Sequence, residues 1–376
     1  MQYFQCAIIG GGLGGLTLAI QLAQKGYQVV LFEKENYPYH KVCGEYVSME
    51  SWNYLERCGV PLTAFNLPTL TQLKISAPNG QYLTHTLKPG GFGISRYKLD
   101  YSLAQLAIGS GVKVIENCKV NEVTFTDNAY QIETSNGSFI SEVLIGAYGK
   151  RSNIDIKLQR NFINNKLQGL NNYVGVKYHV KADLPANIIE LHNFENGYCG
   201  ISKIEDDRYC LCYLTNAANL KKYNGSIAEM EKGILMKNPF LHRYLTEFKS
   251  FYDKPLVISQ ISFAAKTQSE NGVLMLGDAA GLITPLCGNG MSMAMHASYM
   301  LSKLLPLYFE KKITKHALTN EYTKQWNQQF KSRLWFGRQF QLLFGNKIMT
   351  NMVISALKPM PFVVNKLVSL THGKPY

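Results

Sequence analysis

Cys6-Ala7-Ile8-Ile9-Gly10-Gly11-Gly12-Leu13-Gly14-Gly15-Leu16, followed through to Glu33, is the stretch that decides the fold. The apolar run Cys6–Ile9 reads as a buried strand, Leu16–Lys25 as a helix closed by Gly26, and Tyr27–Phe32 as a second strand. Strand, glycine turn, helix and strand in that order predict a right-handed parallel crossover. Within the turn, Gly10 permits the tight bend, Gly12 lets a pyrophosphate approach the backbone, and Gly15 lets the helix pack closely on the strand. The free N–H groups at the helix start, around Leu13 and Gly14, offer the phosphates a positive dipole end. Glu33, with Lys34 beside it, stands 23 residues after Gly10, where a carboxylate binds a ribose hydroxyl.

A dinucleotide is therefore expected, but this unit alone does not separate NAD from FAD. The distant segment Gly277-Asp278-Ala279-Ala280-Gly281, running on to Pro285, Gly288-Asn289-Gly290 and Met291, does. A buried strand, Val273–Leu276, ends in Gly-Asp, and a loop rich in Pro and Gly then opens a helix near Gly290. Such a loop can approach a flavin ring closely, while Asp278 can accept hydrogen bonds from ribityl hydroxyls.

On these blocks the chain resembles the FAD-dependent family typified by para-hydroxybenzoate hydroxylase, which includes geranylgeranyl reductases and halogenases. The resemblance implies FAD as cofactor. It places Gly10, Gly12, Leu13, Gly14, Gly15, Glu33 and Lys34 on the ADP half, and Gly277 and Asp278 on the ribityl chain. It sets Pro285, Gly288, Asn289, Gly290 and Met291 beside the isoalloxazine. An Arg followed by Leu at a helix start, here Arg96 and Leu99, matches a further FAD contact of the family. His40-Lys41-Val42-Cys43-Gly44-Glu45 resembles the Cys-Gly segment of geranylgeranyl reductases, which puts Cys43 and Gly44 near the flavin. As residues alone, Cys43 reads equally well as a small side chain in a tight turn. Where relatives carry Asp-Gly, this chain has Tyr148-Gly149, which questions the usual handling of NAD(P)H, expected only as a transient electron donor.

Outward from these motifs, 376 residues exceed one compact core. The expected class is α/β: a Rossmann-type FAD-binding domain, parallel sheet with helices, interleaved with an antiparallel-sheet substrate domain and a C-terminal helical region. The division expected is 1–75, 95–165 and 266–310 for FAD, 76–94 and 166–265 for substrate, and 311–376 for the helices. Gly197-Tyr198-Cys199-Gly200 is expected either to line the substrate cavity through Tyr198 and Cys199 or to be a plain strand edge.

The net charge of +13 comes without a run of five basic residues, so nucleic acid is not expected as a partner. The eight cysteines form no CxxC pair and the histidines no HxxxH, so no metal site is expected and the thiols read as reduced and cytoplasmic. The tail from Trp335 to Leu370 mixes apolar residues with Arg338, Lys347, Lys358 and Lys366. It reads as a helical lid over the substrate domain or as a basic face lying peripherally on anionic lipid. His296 reads as a packed histidine, and a Gly-x-Ser-x-Gly elbow is missing. The leading functional expectation is a monooxygenase using NAD(P)H and oxygen on an aromatic or lipophilic molecule. The alternative is a reductase of isoprenoid or lipid double bonds, with a non-catalytic flavin sensor behind both. Oligomeric state is not legible.

Overall fold

A computed structural model describes residues 1–163, 171–284, 288–344, 346–370 and 373–376. Pro285 and Cys287 lie outside the described residues.

The first sheet has a parallel centre in which Val273–Met275, Gly137–Gly146, Gln2–Ile9, Val29–Phe32 and Lys113–Ile115 stand side by side. Cys6, Ala7, Ile8, Val30, Leu31 and Leu144 are fully buried there. Near-continuous apolar runs are what a parallel strand covered on both faces requires. The Leu13–Ala23 helix covers one face and packs on the Gly290–Phe309 helix, where the Thr17 hydroxyl donates to Ser298 Oγ at 2.9 Å. Val120–Thr126, Ala129–Thr134 and Gly137–Gly146 form the expected meander, turning through Asn136-Gly137.

The second sheet is mostly antiparallel and includes Asn171–Lys181, Tyr209–Asn216, Gly197–Lys203, Ile188–Phe194, Thr69–Ser76 and Tyr82–Gly93. It also recruits Tyr46–Ser48, and Thr69–Ser76 pairs in parallel with Ile188–Phe194. Residues 46–48 and 69–75 thus pair in this sheet although they fall within the 1–75 segment. One sheet face carries a core of its own: Val174, Val176, Cys199, Ile201, Leu211 and Tyr213 pack on Met230, Leu235, Leu241 and Tyr244 of the helical insert. The other face turns toward the first domain, and the site lies in that junction.

The tail folds as three helices, Lys315–Phe344, Lys347–Leu357 and Pro361–Ser369. Pro361 opens the third from its first turn, where its missing N–H costs nothing.

Candidate active site

The glycine turn is built as its chemistry requires. Gly10 has φ +107, and a Cβ there would stand 2.4 Å from Ala147 O. A Cβ on Gly15 would stand 2.2 Å from Gly10 O, so strand and helix meet too closely for any side chain. Gly12 differs: among the described residues, the only neighbour a Cβ would meet is Arg96 Nη2, at 3.7 Å. Gly12 is also the N-cap of its helix, with no side-chain cap and no acidic residue in the first turn. Those N–H groups are left for an anion. Glu33 is buried at the end of the second strand, where Gly11 N–H donates to its Oε2 at 2.9 Å and Glu35 N–H to its Oε1 at 3.1 Å. Lys34, by contrast, is exposed and pairs with Glu35.

Arg96 enters beside this turn. Ser95 caps its helix by accepting from Lys98 N–H at 3.1 Å. The guanidinium then makes a bidentate pair with Asp100 at 2.7 and 2.8 Å, and Lys41 Nζ reaches the same carboxylate at 2.9 Å. Burial opposes ionisation of Asp100, but Arg96 and Lys41 outweigh it and hold the carboxyl below its usual range.

Asp278 follows Gly277, whose φ is +63. Its carboxyl makes no hydrogen bond or ion pair among the described residues. Burial pushes it up from the ordinary carboxylate value, and the cationic Lys266, Lys150 and Arg96 pull the other way. An acceptor left open among cations suits the hydroxyls of a ribityl chain. Gly277, Gly281, Ile283, Gly290, Met293, Ala294 and Trp326 line a cleft beside it. Gly288, with φ +65, brings its backbone against Tyr46, where a Cβ would meet the ring at 3.1 Å. Asn289 is fully buried at the start of the Gly290–Phe309 helix. Met291 Sδ lies 3.8 Å from Cys43 Sγ, so the loop and the Cys43-Gly44 segment meet. The open cradle at Gly12 and the open acceptor at Asp278 fit FAD.

The Lys41–Glu45 segment is laid on the second sheet by a cluster that pattern reading did not assemble. Glu45, fully buried with φ +55, accepts from Arg96 N–H at 2.8 Å, from Lys177 Nζ, and from His179 Nε2 at 2.6 Å. Burial opposes its charge, but the His179 hydrogen bond and the Lys177 ammonium hold its carboxyl below the ordinary range. Lys177 also donates to Lys41 O at 3.1 Å, and the Cys210 thiol donates to Cys43 O at 3.2 Å. Glu45, His179 and Cys210 bring oxygen, nitrogen and sulfur within 4.8 Å. The Lys177 ammonium and the Cys43 carbonyl already engage two of these donors, and an ammonium at this point repels a metal cation. Burial pushes the Cys43 thiol up and the Cys212 thiol to about 12, so both are protonated at neutral pH.

Strand alternation separates the two residues expected in the cavity. Tyr198 faces the junction, in an apolar wall with Tyr173, Leu214, Ile261, Phe263 and Leu282 of the flavin loop. Cys199 points the other way, into the core beneath the helical insert. The thiols on the junction side are instead Cys210 and Cys212, which pair opposite Ser202 and Gly200. Lys177 and His179 had one readable signal: a Lys and a His two residues apart on one face of an otherwise apolar strand.

Tyr148, standing where relatives have Asp, donates to Asp155 Oδ1 at 2.8 Å. Asp155 also completes a capping box with Ser152 and receives Arg160 Nη1 at 2.9 Å. Arg160, buried, continues to Ala279 O at 2.9 Å and Thr267 O at 2.7 Å, tying this turn to the Gly277–Gly281 segment. His296 stacks on Tyr376 at 4.1 Å and meets Phe330 edge-on.

Residues 8–41 match the NAD(P)-binding Rossmann-like domain, and residues 238–333 match the squalene epoxidase family. The solved structures the chain overlays include a flavin-dependent brominase, an FAD-dependent halogenase and a geranylgeranyl bacteriochlorophyll reductase-like protein, all at 16–17% identity, which shows a shared fold. These likenesses support an FAD-dependent oxidoreductase. Conditioned medium factor receptor 1 of Dictyostelium discoideum is 25% identical, over 87% of this chain and 68% of that protein. Digeranylgeranylglycerophospholipid reductase 1 of Methanococcoides burtonii is 23% identical, over 93% and 83%. In fold, the chain overlays p-nitrophenol 4-monooxygenase of Pseudomonas putida with a TM-score of 0.79, at 16% identity and 100% of both chains.

Proposed function

We propose that this flavoprotein is a monooxygenase that takes electrons from NAD(P)H and inserts oxygen into a lipophilic, electron-rich molecule, an aromatic ring or an alkene. The observation that carries the reading is the apolar wall of Tyr173, Tyr198, Leu214, Ile261 and Phe263, which meets Leu282 of the flavin loop. Such a wall at that loop would receive a greasy substrate and exclude water from the reaction. FAD, when bound, supplies the redox chemistry. Gly10, Gly12 and the Leu13–Ala23 helix start would hold its pyrophosphate, Glu33 its ribose, and Asp278 its ribityl chain. Arg96 would sit over the phosphates. The match of residues 238–333 to the squalene epoxidase family supports oxygen insertion, because that segment spans the flavin loop and the wall residues 261 and 263.

One observation favours a second reading, reduction of an isoprenoid or lipid double bond. The protonated Cys43 thiol lies against Met291 of the flavin loop, placed to give a proton to one carbon of a double bond whose other carbon receives a hydride. Tyr148 in place of the family Asp leans the same way, since it alters the segment linked to NAD(P)H.

The deciding experiment supplies the purified FAD-loaded enzyme with NADPH and a panel of aromatic and isoprenoid lipids. Oxygen consumption coupled to substrate, with labelled oxygen in the product, supports the first reading. Saturation of a double bond by the reduced enzyme without oxygen replaces it with the second.

A further inference from the structure

The last acidic residue of the chain is Glu321. Residues 322–376 carry none, against eight cations: Lys324, Lys331, Arg333, Arg338, Lys347, Lys358, Lys366 and Lys374. The inner faces of the last two helices are satisfied, since Ile354 and Val364 pack on Ala77 and Leu83 of the second sheet. Their outer faces are not. Ile348 is 69% exposed, Met352 59% and Phe362 80%, with Met349 and Met360 beside them and Trp335 more than half exposed on the preceding helix. Positions 348, 349 and 352 share one face of the Lys347–Leu357 helix, and Phe362 opens the Pro361–Ser369 helix. Lys347, Lys358 and Lys366, on these two helices and the turn between them, are exposed as well.

We infer that the ridge of Trp335, Ile348, Met352 and Phe362 docks on the surface of an anionic phospholipid bilayer. Large apolar side chains among exposed lysines, on a segment with no acidic residue of its own after Glu321, match a boundary of negative headgroups over acyl chains. A second copy of the chain is a poor occupant, because it would set one all-basic face against another. The helices lie on the bilayer rather than through it: no helix of the described residues is long and apolar enough to cross one. The arrangement also joins surface to site. The Lys315–Phe344 helix buries Trp326 over Gly281 in the flavin cleft and exposes Trp335 nine residues on, about 14 Å along the same rod. The inference adds a partner to the reading of a lipophilic substrate, but it stands on exposure and charge and is tested without turnover.

The test sediments the full FAD-loaded chain with vesicles of phosphatidylcholine alone and of phosphatidylcholine with phosphatidylglycerol. Binding is expected to the mixed vesicles, and at least ten-fold weaker binding to the neutral ones. The variant M352E/F362E should lose ten-fold or more on mixed vesicles, and each of K347Q, K358Q and K366Q about five-fold. Flavin absorbance unchanged in all variants shows that they are folded and that the flavin reading survives either outcome. A native chain left in the supernatant with anionic vesicles at low salt overturns the inference. So does a doubly substituted chain that binds as tightly as the native one. A native dimer in light scattering that M352E/F362E dissociates assigns the ridge to a second copy instead.

Discussion

Glu45→Gln is the substitution that most sharply tests how the Cys43 segment is held to the second sheet. The carboxylate is completely buried and faces the Lys177 ammonium, His179 Nε2 and Arg96 N–H. Glutamine keeps the shape and removes the charge, leaving a buried ammonium without its counter-ion. Breaking one side of a buried pair costs about 3–5 kcal/mol. For a chain of this length that is a fall in Tm of roughly 4–6 °C. The pH dependence carries a second signature. In the native protein Glu45 is held below its ordinary pKa, so its contribution is present above the unfolded carboxylate value and is lost as pH falls through the folded one. In the variant burial still pushes the Lys177 pKa down, and of the groups that held it up only the Cys210 and Cys43 thiols, protonated at neutral pH, remain, so its folded pKa falls below the unfolded value. Stability should therefore rise as pH climbs from neutral toward that unfolded value. The double variant Glu45→Gln/Lys177→Met removes both charges and should recover most of the loss. Thermal unfolding monitored by flavin release and by circular dichroism reads all three. A Glu45→Gln enzyme within about 0.5 kcal/mol of native, roughly the spread of an ordinary surface substitution, would refute the account of the cluster.

Gly10→Ala should yield protein without flavin absorbance, because the added Cβ meets Ala147 O at 2.4 Å on a backbone with φ +107. Asp278→Asn should fold and bind FAD at least ten-fold more weakly by equilibrium dialysis, since Asp278 is the open acceptor among three cations. Tyr148→Phe should cost about 1–3 kcal/mol in denaturant unfolding, by stripping one donor from the buried Asp155 carboxylate, while leaving FAD content unchanged. Cys43→Ala separates the two reactions: oxygen-consuming turnover should persist, whereas double-bond saturation should fall at least a hundred-fold. Cys199→Ala should leave KM for substrate unchanged, because its side chain lies in the core on the far face of the sheet.

The dinucleotide unit was readable because each of its requirements is local. A glycine for the turn, an apolar helix and a terminal carboxylate fall within one crossover, and hydrophobic period alone places them. The Gly277-Asp278 segment was readable for the same reason, a buried strand giving way to glycine. Residues that meet across the junction were not. Glu45 stands 132 and 134 positions from Lys177 and His179, and no periodicity links them. Cys199 shows a different limit. Its nearness to Tyr198 in sequence suggested one cavity, but neighbours on a strand face opposite ways, and only the pairing register tells which way is inward. Tyr148 joins the two cases. The missing Asp is plain in the sequence, whereas the carboxylate that meets the same turn comes seven residues later, from Asp155, once Ser152 and Asp155 close their capping box. A motif thus reports which side chain stands at a position. The charge a site holds depends on which neighbours the fold delivers there. Here Tyr148 donates to Asp155, Arg160 pairs with the same carboxylate, and Arg160 itself reaches the flavin segment at the Ala279 carbonyl, so that turn keeps a buried, neutralised pair where relatives carry Asp.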